Sequence, residues 1–447
     1  MTGRADLPSQ EAMNPPVHAT GDAARADRIE GVLLGAACGD ALGVPYEFGS
    51  APLAPDEPPR MIGGGLGPYE PGEWSDDTQM AVVIAGVAAA QGLRHVTALD
   101  AVVRGWVDWL DGGATDVGNQ TRQVLREVGV GRGSPHAAER ARLVSYSLHA
   151  QTGHTAGNGS LMRTAPVALA FLDDPAALAE RSRAISGLTH ADPLTGDACV
   201  LWCHAIRRAV LDGEMPELAE LVAELPMERR DQWAAWIADA ERRTPSTFAP
   251  NGYVVTALQA AWSAIRHPVG EGSPVVTSLV AAVHAGDDTD TVAAIAGALL
   301  GAAHGASSLP EEWLEAVHGW PGLRADDLRD LAARVADRGA EDAAAHRVPD
   351  ELHEVAEHLV ALGLGEGHHF LVEGRPVPGG RSSELIGLRK DDDGTYEVWY
   401  VGDRGAHRTL LETSEWSAAR PRFVEEVARL GESRGDWRPP RRRWWRR

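Results

Sequence analysis

The chain has 447 residues and a formal net charge of −22 at pH 7, which argues against nucleic acid or an anionic membrane as a partner of the main body, because both would be repelled. Its length favours one large domain with a smaller appendage. The aromatic fraction of 6% is low while alanine and glycine are plentiful, a mixture that is typical of closely packed helices. The cysteines, Cys38, Cys199 and Cys203, form no CxxC pair, which favours a reducing cytoplasm.

Residues 1–27 lack the apolar core of a signal peptide and are predicted to form a disordered lead-in. From residue 28 to residue 338 the chain is mostly alanine-rich helical pattern, interrupted by loops of glycine, proline and aspartate. This pattern predicts an all-α main domain. No membrane span is expected, because the apolar run after Thr291 is short and made largely of alanine and glycine, as in a buried core helix.

Glycine recurs at every fourth position in two of the predicted helices. The earlier set is Gly31, Gly35 and Gly39, and the later set is Gly297, Gly301 and Gly305. Each set makes a smooth stripe on one helical face, which permits a neighbouring backbone to approach closely. We therefore predict that the two helices pack together in the centre of the domain, which would bring Asp40 near the acidic residues before the later helix.

Two short acidic segments each open an apolar helix: "WSDDTQM", with Asp76 and Asp77, and "GDDTDT", with Asp288 and Asp290. Taken singly, each segment can be an ordinary helix N-terminus, since Ser, Thr and Asp side chains accept hydrogen bonds from free backbone N–H groups. Each segment supplies more acceptors than a cap needs, however, and neither contains Lys or Arg. If the segments converge, a bound cation must offset the repulsion, and oxygen ligands of this kind select Mg²⁺ or Mn²⁺.

A third loop, "TGHTAGNGSLMR", places Gly153, Gly157 and Gly159 before a helix that begins near Ser160. Glycines let the backbone approach a ligand, and free N–H groups at a helix start suit a phosphate or pyrophosphate. An ordinary glycine-rich turn is an equally good interpretation of this loop alone. Arg163, one turn further on, can reach a phosphate or form a surface ion pair.

Residues 345–435 differ in composition from the main domain and predict a small C-terminal α+β module. The segments "DELHEVAEHLVALG" and "PRFVEEVARLG" have helical patterns, and "TYEVWYV" and "HRTLLE" flank "GDRGA" as the strands of a β-hairpin do. The basic tail, residues 436–447, can bind nucleic acid or an acidic protein face, or it can be a solvated end. The module could recruit a modified substrate or protect the main domain.

Five segments, in order along the chain, together resemble the ADP-ribosylglycohydrolase family, the enzymes that remove ADP-ribose from modified side chains, including the dinitrogenase reductase-activating glycohydrolase type. They are "GVLLGAACGDALGVPYE", "WSDDTQM", "GHTAGNGSLMR", "SGLTHADP" and "GDDTDTVAAIAGALLGA", and together they span about residues 28–305. The resemblance implies an all-helical fold with a dinuclear Mg²⁺ or Mn²⁺ centre. It also implies that the partner is an ADP-ribosylated protein or another ADP-ribose conjugate.

The resemblance assigns roles to particular positions of this chain. The implied metal ligands are Ser75, Asp76, Asp77, Asp288, Asp290 and Thr291, with Ser75 where the family usually has threonine. The implied substrate-binding residues are Gly157, Asn158, Gly159, Ser160 and His190. Asp287 stands where relatives commonly have glycine. We expect Asp77 to be the general base, with Glu47 as its alternative or as the proton donor to the leaving group.

Two other functions stay open on the sequence alone. A dinuclear-metal hydrolase of phosphate esters would release phosphate rather than intact ADP-ribose. A catalytically silent ADP-ribose-binding module would hold the ligand without turnover. The sequence also leaves open the acceptor to which ADP-ribose is linked, the choice between Mg²⁺ and Mn²⁺, and the oligomeric state.

Overall fold

The structure, a computed structural model, describes residues 21–130, 136–345, 348–375, 382–391, 393–402 and 407–438. Contacts between residues divide the chain into two units, Met1–Glu341 and Asp342–Arg447. This division falls between residue 338, the predicted end of the main domain, and residue 345, the predicted start of the module. Residues 1–20 of the predicted lead-in and residues 439–447 of the predicted basic tail lie outside the described residues.

Helices build almost all of the regular structure in the first unit, which confirms the predicted all-α domain. They are α1 (Gly21–Gly43), α2 (Asp76–Gln91), α3 (Val96–Asp111), α4 (Asn119–Gly129), α5 (Ala137–Thr152), α6 (Ala165–Ala170), α7 (Pro175–Ser186), α8 (Pro193–Asp212), α9 (Met227–Arg242), α10 (Val254–Arg266), α11 (Pro274–Val283), α12 (Thr289–His304), α13 (Glu311–Ala316) and α14 (Ala325–Ala345), the last of which crosses the boundary between the units. Short strands β1 (His318–Gly319) and β2 (Leu323–Arg324) pair antiparallel. Within the described part of the chain, no helix is both long and apolar enough to cross a membrane.

Helices α1 and α12 pack against each other along their backbones, as the two glycine stripes predict. A Cβ atom added to Gly35 would lie 2.1 Å from the carbonyl oxygen of Gly297, and one added to Gly301 would lie 1.8 Å from that of Gly31. These distances are far below van der Waals contact, so a larger residue would force the helices apart. Gly305 has a different role from the other glycines, because it ends α12 in the left-handed region with a φ of 84°.

The first helix begins earlier than the sequence pattern predicts. Residues 21–27, which the sequence assigns to the disordered lead-in, form the first turns of α1. The carboxylate of Asp27 accepts hydrogen bonds from the backbone N–H and the hydroxyl of Ser307, at 2.9 and 2.7 Å. A contact between positions so distant in the chain leaves no mark on the local sequence, which is why the polar start of this helix looks unstructured.

The second unit is a four-stranded sheet with both of its described helices packed on one face. Its elements are α15 (Asp350–Ala361), β3 (Phe370–Val372), β4 (Leu385–Lys390), β5 (Tyr396–Val401), β6 (His407–Thr413) and α16 (Trp416–Arg434). The strand order is β3-β4-β5-β6, parallel between β3 and β4 and antiparallel between the other neighbours. The predicted α+β module and its hairpin, β5 and β6, are therefore confirmed, while residues 403–406 of the turn lie outside the described residues.

Candidate metal and substrate site

Helix α2 receives its N-terminal cap from a neighbouring helix and not from its own acidic residues. Asp40 of α1 is fully buried. One of its oxygens accepts hydrogen bonds from the backbone N–H and the hydroxyl of Ser75, each at 2.8 Å. The other accepts from the N–H and the hydroxyl of Thr78, at 3.0 and 2.6 Å. Because Asp40 satisfies these donors, Asp76 and Asp77 are released from capping.

The starts of α2 and α12 meet at Asp77. The hydroxyl oxygens of Ser75 and Thr291 each lie 3.3 Å from Oδ2 of Asp77. The other oxygen, Oδ1, is buried and has no hydrogen-bond partner among the described residues. A buried carboxylate oxygen without a partner is costly, so this atom marks a position for a positively charged group.

Two asparagines hold Asp288 in place. The side-chain oxygen of Asn251 accepts from the N–H of Asp288 at 2.9 Å, and its Nδ2 donates to the Gly286 carbonyl at 2.9 Å. Asn158 donates from Nδ2 to Oδ2 of Asp288 at 2.7 Å and to the Asn251 carbonyl at 3.1 Å. The amide of Asn158, predicted to contact substrate, therefore orients an acidic residue. Asn251 escaped the sequence reasoning because "PNGY" is typical of an ordinary turn.

Glu47 and Asp116 add two further carboxylates beside the start of α12. Each has an oxygen within 4.8 Å of the other and of an oxygen of Asp290. Glu47 is buried, whereas Asp116 is partly exposed. Sequence reasoning missed Asp116, because it stands alone in the glycine-rich segment "GGATDVGN", where neither a second carboxylate nor a regular spacing marks it.

Asp287 contributes its backbone to the site. Its φ of 55° lies in the left-handed region, which glycine adopts at the least cost, and this explains why glycine suits the position in the family pattern. Its carbonyl accepts hydrogen bonds from the N–H groups of Phe48 and Thr289, at 2.7 and 3.1 Å. The first of these ties the segment that carries Glu47 to the loop before α12. The side chain of Asp287 is not part of the cavity wall described below.

The converging carboxylates form one group, the acidic cluster. Its members are Glu47, Asp76, Asp77, Asp116, Asp288 and Asp290. Burial, followed by repulsion from neighbouring carboxylates, raises the pKa of Asp76, Asp77 and Asp290 well above the usual range. Burial, then the charges of Asp116 and Asp288, raises the pKa of Glu47 to about 9. No lysine or arginine of the described chain lines the cavity, so protons or a bound cation must offset the negative charge.

The donor atoms of the acidic cluster suit hard divalent cations. They are carboxylate oxygens, with the hydroxyl of Thr291 beside them, and no cysteine lies among the described residues of the wall. Mg²⁺ and Mn²⁺ prefer oxygen ligands of this kind. The unpartnered Oδ1 of Asp77 agrees with such an ion, because it is an acceptor for which the described residues provide no donor.

A cavity of about 450 Å³ opens beside the acidic cluster, within the usual size range of small-molecule sites. Its wall contains most of the residues that the sequence predicts for the site. They are Glu47, Asp76, Asp77, Gly157, Asn158, Gly159, His190, Asp288, Asp290 and Thr291. The structure therefore brings the predicted metal ligands and the predicted substrate loop to one cavity.

Ser75 and Ser160 are the predicted site residues that do not line this cavity. The hydroxyl of Ser75 contacts Asp40 and Asp77, as described above. Ser160 is fully buried, and its hydroxyl accepts a hydrogen bond from that of Ser186 at 3.0 Å. Its side chain thus belongs to the interior and not to the ligand surface. A motif identifies the loop to which a residue belongs, but it does not report to which side that residue points.

The glycine loop lies against the ring of His190. A Cβ atom on Gly159 would lie 3.2 Å from Cε1 and 3.3 Å from Nε2 of this ring and would crowd it, whereas one on Gly157 would make an ordinary contact, 3.5 Å from Nε2. The position of Arg163 differs from both predicted roles, which were a contact with phosphate and an ion pair at the surface. It is fully buried, and its guanidinium carbon lies 4.0 Å from the centre of the Trp106 ring. Its guanidinium group therefore lies in the interior of the domain.

A second group of potential metal ligands, His368, His369 and Asp436, lies in the second unit. Nε2 of each histidine contacts Asp436, at 2.8 Å for His368 and 3.0 Å for His369. The N–H of Gly365 donates to Nδ1 of His369 at 2.9 Å, so a neutral ring carries its hydrogen on Nε2. That atom then has no lone pair for a metal. We interpret the group as a hydrogen-bonded clamp between the chain after α16 and the chain before β3.

The comparison with protein families identifies the class of protein to which this helical fold belongs. The family model described as ADP-ribosylglycohydrolase matches residues 21–345. The chain therefore belongs to the ADP-ribosylglycohydrolase family, whose members remove ADP-ribose from modified substrates by hydrolysis. The match confirms the resemblance carried by the five sequence segments. It ends at residue 345, so nearly all of the second unit lies beyond it.

Named relatives and a solved structure are similar over the same region. The ADP-ribosylarginine hydrolase Tri1 of Pseudomonas putida strain GB-1 is 31% identical over 330 residues, which cover 70% of this chain and 82% of that protein. The ADP-ribosyl-[dinitrogen reductase] glycohydrolase of Rhodospirillum rubrum is 30% identical over 291 residues, covering 64% and 89%. A solved structure of an ADP-ribosylglycohydrolase-related protein complex has a TM-score of 0.55 and 27% identity, over 71% of this chain and 99% of that chain.

Proposed function

We propose that this chain hydrolyses the bond between the anomeric carbon of ADP-ribose and a modified protein side chain, with two Mg²⁺ or Mn²⁺ ions bound by the acidic cluster. The observation that carries the proposal is the buried, unpartnered Oδ1 of Asp77, which lies in a group of carboxylates whose charges repel one another. Such a group is stable in its ionised form when cations are bound. The family supplies the class of reaction.

The proposed metal ligands are Asp76, Asp77, Asp288, Asp290 and Thr291. Ser75 lies behind them, because its hydroxyl is 2.8 Å from the Asp40 carboxylate and 3.3 Å from Oδ2 of Asp77 and so links the two carboxylates. When bound, the two ions would supply the Lewis acidity that activates a water molecule and orients the ribose hydroxyls. The amide contacts of Asn158 and Asn251 keep Asp288 at the edge of the cavity.

Glu47 and Asp77 are the proposed proton-transfer groups. The transition state of glycosidic cleavage carries oxocarbenium-like positive charge, so the leaving group needs a proton and the attacking water must lose one. Glu47 lines the cavity and, because burial raises its pKa to about 9, holds a proton at neutral pH that it can give to the leaving group. Asp77, once its negative charge is offset, would accept the proton of the attacking water.

The glycine loop and His190 are proposed to hold the remainder of ADP-ribose. Gly157 and Gly159 leave the backbone of the loop accessible from the cavity, which suits a pyrophosphate. Backbone hydrogen bonds anchor the loop to the start of α10, from Asn158 N–H to the Gly252 carbonyl at 3.1 Å and from Val254 N–H to the Ala156 carbonyl at 2.9 Å. Contacts remote from the reacting bond would orient the anomeric carbon beside the acidic cluster.

Arginine is the first acceptor to test. Asp116 is a partly exposed carboxylate of the cavity wall, and a carboxylate suits the planar, charged guanidinium group by paired hydrogen bonds. One relative is named for ADP-ribosylarginine and another for ADP-ribosylated dinitrogen reductase, which supports an ADP-ribosylated protein as the substrate.

The experiment measures free ADP-ribose and free phosphate released from arginine-linked, serine-linked and DNA-linked ADP-ribose, with Mg²⁺, Mn²⁺ or a chelator. It compares the wild type with Asp77→Asn, Asp290→Asn and Asp116→Asn. Asp231→Asn, an exposed position on α9, is the matched control for loss of one carboxylate.

The proposal expects metal-dependent release of intact ADP-ribose that is lost in Asp77→Asn and Asp290→Asn and kept in the control. A specific loss on the arginine conjugate in Asp116→Asn would identify the acceptor. Release of phosphate would instead indicate a phosphoester hydrolase. Tight ADP-ribose binding without release from any conjugate would contradict the enzymatic proposal for these substrates and indicate a silent binding module.

A further inference from the structure

His190 presents one ring nitrogen to the cavity and the other to the protein interior. Its Nδ1 lies 2.7 Å from the hydroxyl oxygen of Thr189. Its Nε2 makes no hydrogen bond within the described residues, and the ring lines the cavity next to Gly157 and Gly159. The residue is only 4% exposed, and it lines the cavity, so its Nε2 without a protein partner is available to a ligand there. Whether that atom donates or accepts decides which ligand atom it recognises.

The contacts of Thr189 determine where the hydrogen of His190 lies. Nη2 of Arg163 is 2.6 Å from the Thr189 hydroxyl oxygen, and an arginine is always a donor, so this oxygen accepts. The hydroxyl hydrogen needs an acceptor, because Thr189 is fully buried. Among the described residues the acceptor in contact is Nδ1 of His190. Nδ1 therefore accepts, and the single hydrogen of a neutral ring is on Nε2.

Arg163 is well placed to keep this arrangement fixed. Its guanidinium group is fully buried between the Trp106 ring and Met80, whose sulfur lies 3.5 Å from Nη1. No carboxylate of the described chain forms an ion pair with it, so its charge acts on its hydrogen-bond partner and on the neighbouring ring. Burial, then the charge of Arg163, lowers the pKa of His190 to about 3, and the ring is neutral at physiological pH.

We propose that Arg163 and Thr189 are positioning residues that hold His190 as the neutral tautomer with hydrogen on Nε2, so that the ring donates a hydrogen bond to an oxygen of the bound ligand. The naming of that ligand as ADP-ribose rests on the proposed function, whereas the tautomer does not. This role also explains why a cation without an ion-pair partner is buried near the site, a placement that would otherwise only cost stability.

The first experiment is nitrogen-15 NMR of the full-length chain with labelled histidine, at pH 7.5, with the His190 signal assigned by its loss in His190→Gln. The proposal expects a protonated Nε2 and an unprotonated Nδ1 in the wild type. The opposite tautomer, or a doubly protonated ring, would overturn it. This measurement needs neither metal nor substrate, and it uses the folded wild type.

The second experiment measures the Kd of ADP-ribose by calorimetry for the wild type, Thr189→Val and Thr189→Ser. Valine has a similar shape but cannot pass on the hydrogen bond, and serine keeps the hydroxyl. The proposal expects a Kd about tenfold higher for Thr189→Val, with loss of the fixed tautomer in its spectrum, and recovery of both in Thr189→Ser.

An unchanged Kd and an unchanged His190 spectrum in Thr189→Val would overturn the positioning role. Failure of the wild type to bind ADP-ribose would contradict the proposed function, and the wild-type spectrum would still decide the tautomer. A general loss of packing in Thr189→Val would lower binding in Thr189→Ser as well, so recovery by serine separates positioning from damage to the fold.

Discussion

The substitution Asp77→Asn should change the stability of the first unit in opposite directions with and without metal. In the presence of a chelator, asparagine replaces a carboxyl group whose ionisation is opposed by burial and by neighbouring carboxylates, and it places an N–H donor where the unpartnered Oδ1 lies among acceptors. Relief of such a group is worth about 1–3 kcal/mol, so the variant should be more stable than the wild type. Oδ1 of the new amide can still accept from the Ser75 and Thr291 hydroxyls.

With metal the order should reverse. An ion present at 100 times its Kd stabilises the wild type by about 2.7 kcal/mol, and the variant loses much of this gain. For a unit that covers residues 1–341, each kcal/mol corresponds to about 2 °C in Tm. Calorimetric melting of both proteins, with chelator and with saturating Mn²⁺, should therefore give a difference of a few degrees that changes sign.

The exposed substitution Asp231→Asn on α9 is the control for this experiment and should give no change of sign. A lower Tm for Asp77→Asn under both conditions would refute the reasoning, because it would mean that the carboxylate stabilises the fold without a cation. An equal Tm for the wild type with and without metal would refute it as well.

Further predictions concern packing, protons and pH. Gly35→Ala should destabilise the protein by more than about 3 kcal/mol in denaturant melts, since its Cβ would lie 2.1 Å from the Gly297 carbonyl oxygen. The control is Gly86→Ala in α2, which should be neutral or stabilising because its Cβ would meet nothing within 4 Å. Metal binding at pH 7.5 should release protons, because burial and the neighbouring carboxylates raise the pKa of Asp76, Asp77 and Asp290 well above the usual range. Calorimetry in buffers of different ionisation enthalpy should measure this release, and it should measure the same number of protons for Glu47→Gln, because Glu47 keeps its proton as the proposed donor. Folding lowers the pKa of His190 from 6.5 to about 3, so between these pH values the unfolded chain binds a proton at this residue that the folded chain does not. The free energy of unfolding should therefore fall as the pH falls from 6.5 towards 3. The variant His190→Gln should show a weaker dependence on pH in this range.

The sequence predicted the features that depend on local spacing. The glycine stripes of α1 and α12 have a helical period, and their contact follows from the requirement that a stripe without side chains be covered by another backbone. The acidic segments were identified because each holds more carboxylates than a cap requires. Their meeting at Asp77 then follows from the packing of α1 against α12, since Asp40 of α1 caps α2.

The features that the sequence did not predict depend on contacts between distant positions. Asp116 and Asn251 stand alone in glycine-containing loops, and only the fold brings them to the acidic cluster. Ser160 belongs to the expected loop, but the short helical turn Asn158–Ser160 directs its side chain into the interior. Arg163 looks like a surface or phosphate-binding residue by its neighbours, and it is buried because Trp106 of α3 offers a ring to stack on.

The most direct test of the central claim is the rate of ADP-ribose release by the full-length chain after complete removal of metal and during stepwise addition of Mn²⁺ or Mg²⁺, with the conjugate that is cut best. The account predicts no release from the metal-free protein, and recovery of the rate as the ion saturates the acidic cluster. Equal rates before and after metal removal would contradict it, because the carboxylates would then act without the cations that their burial and mutual repulsion call for.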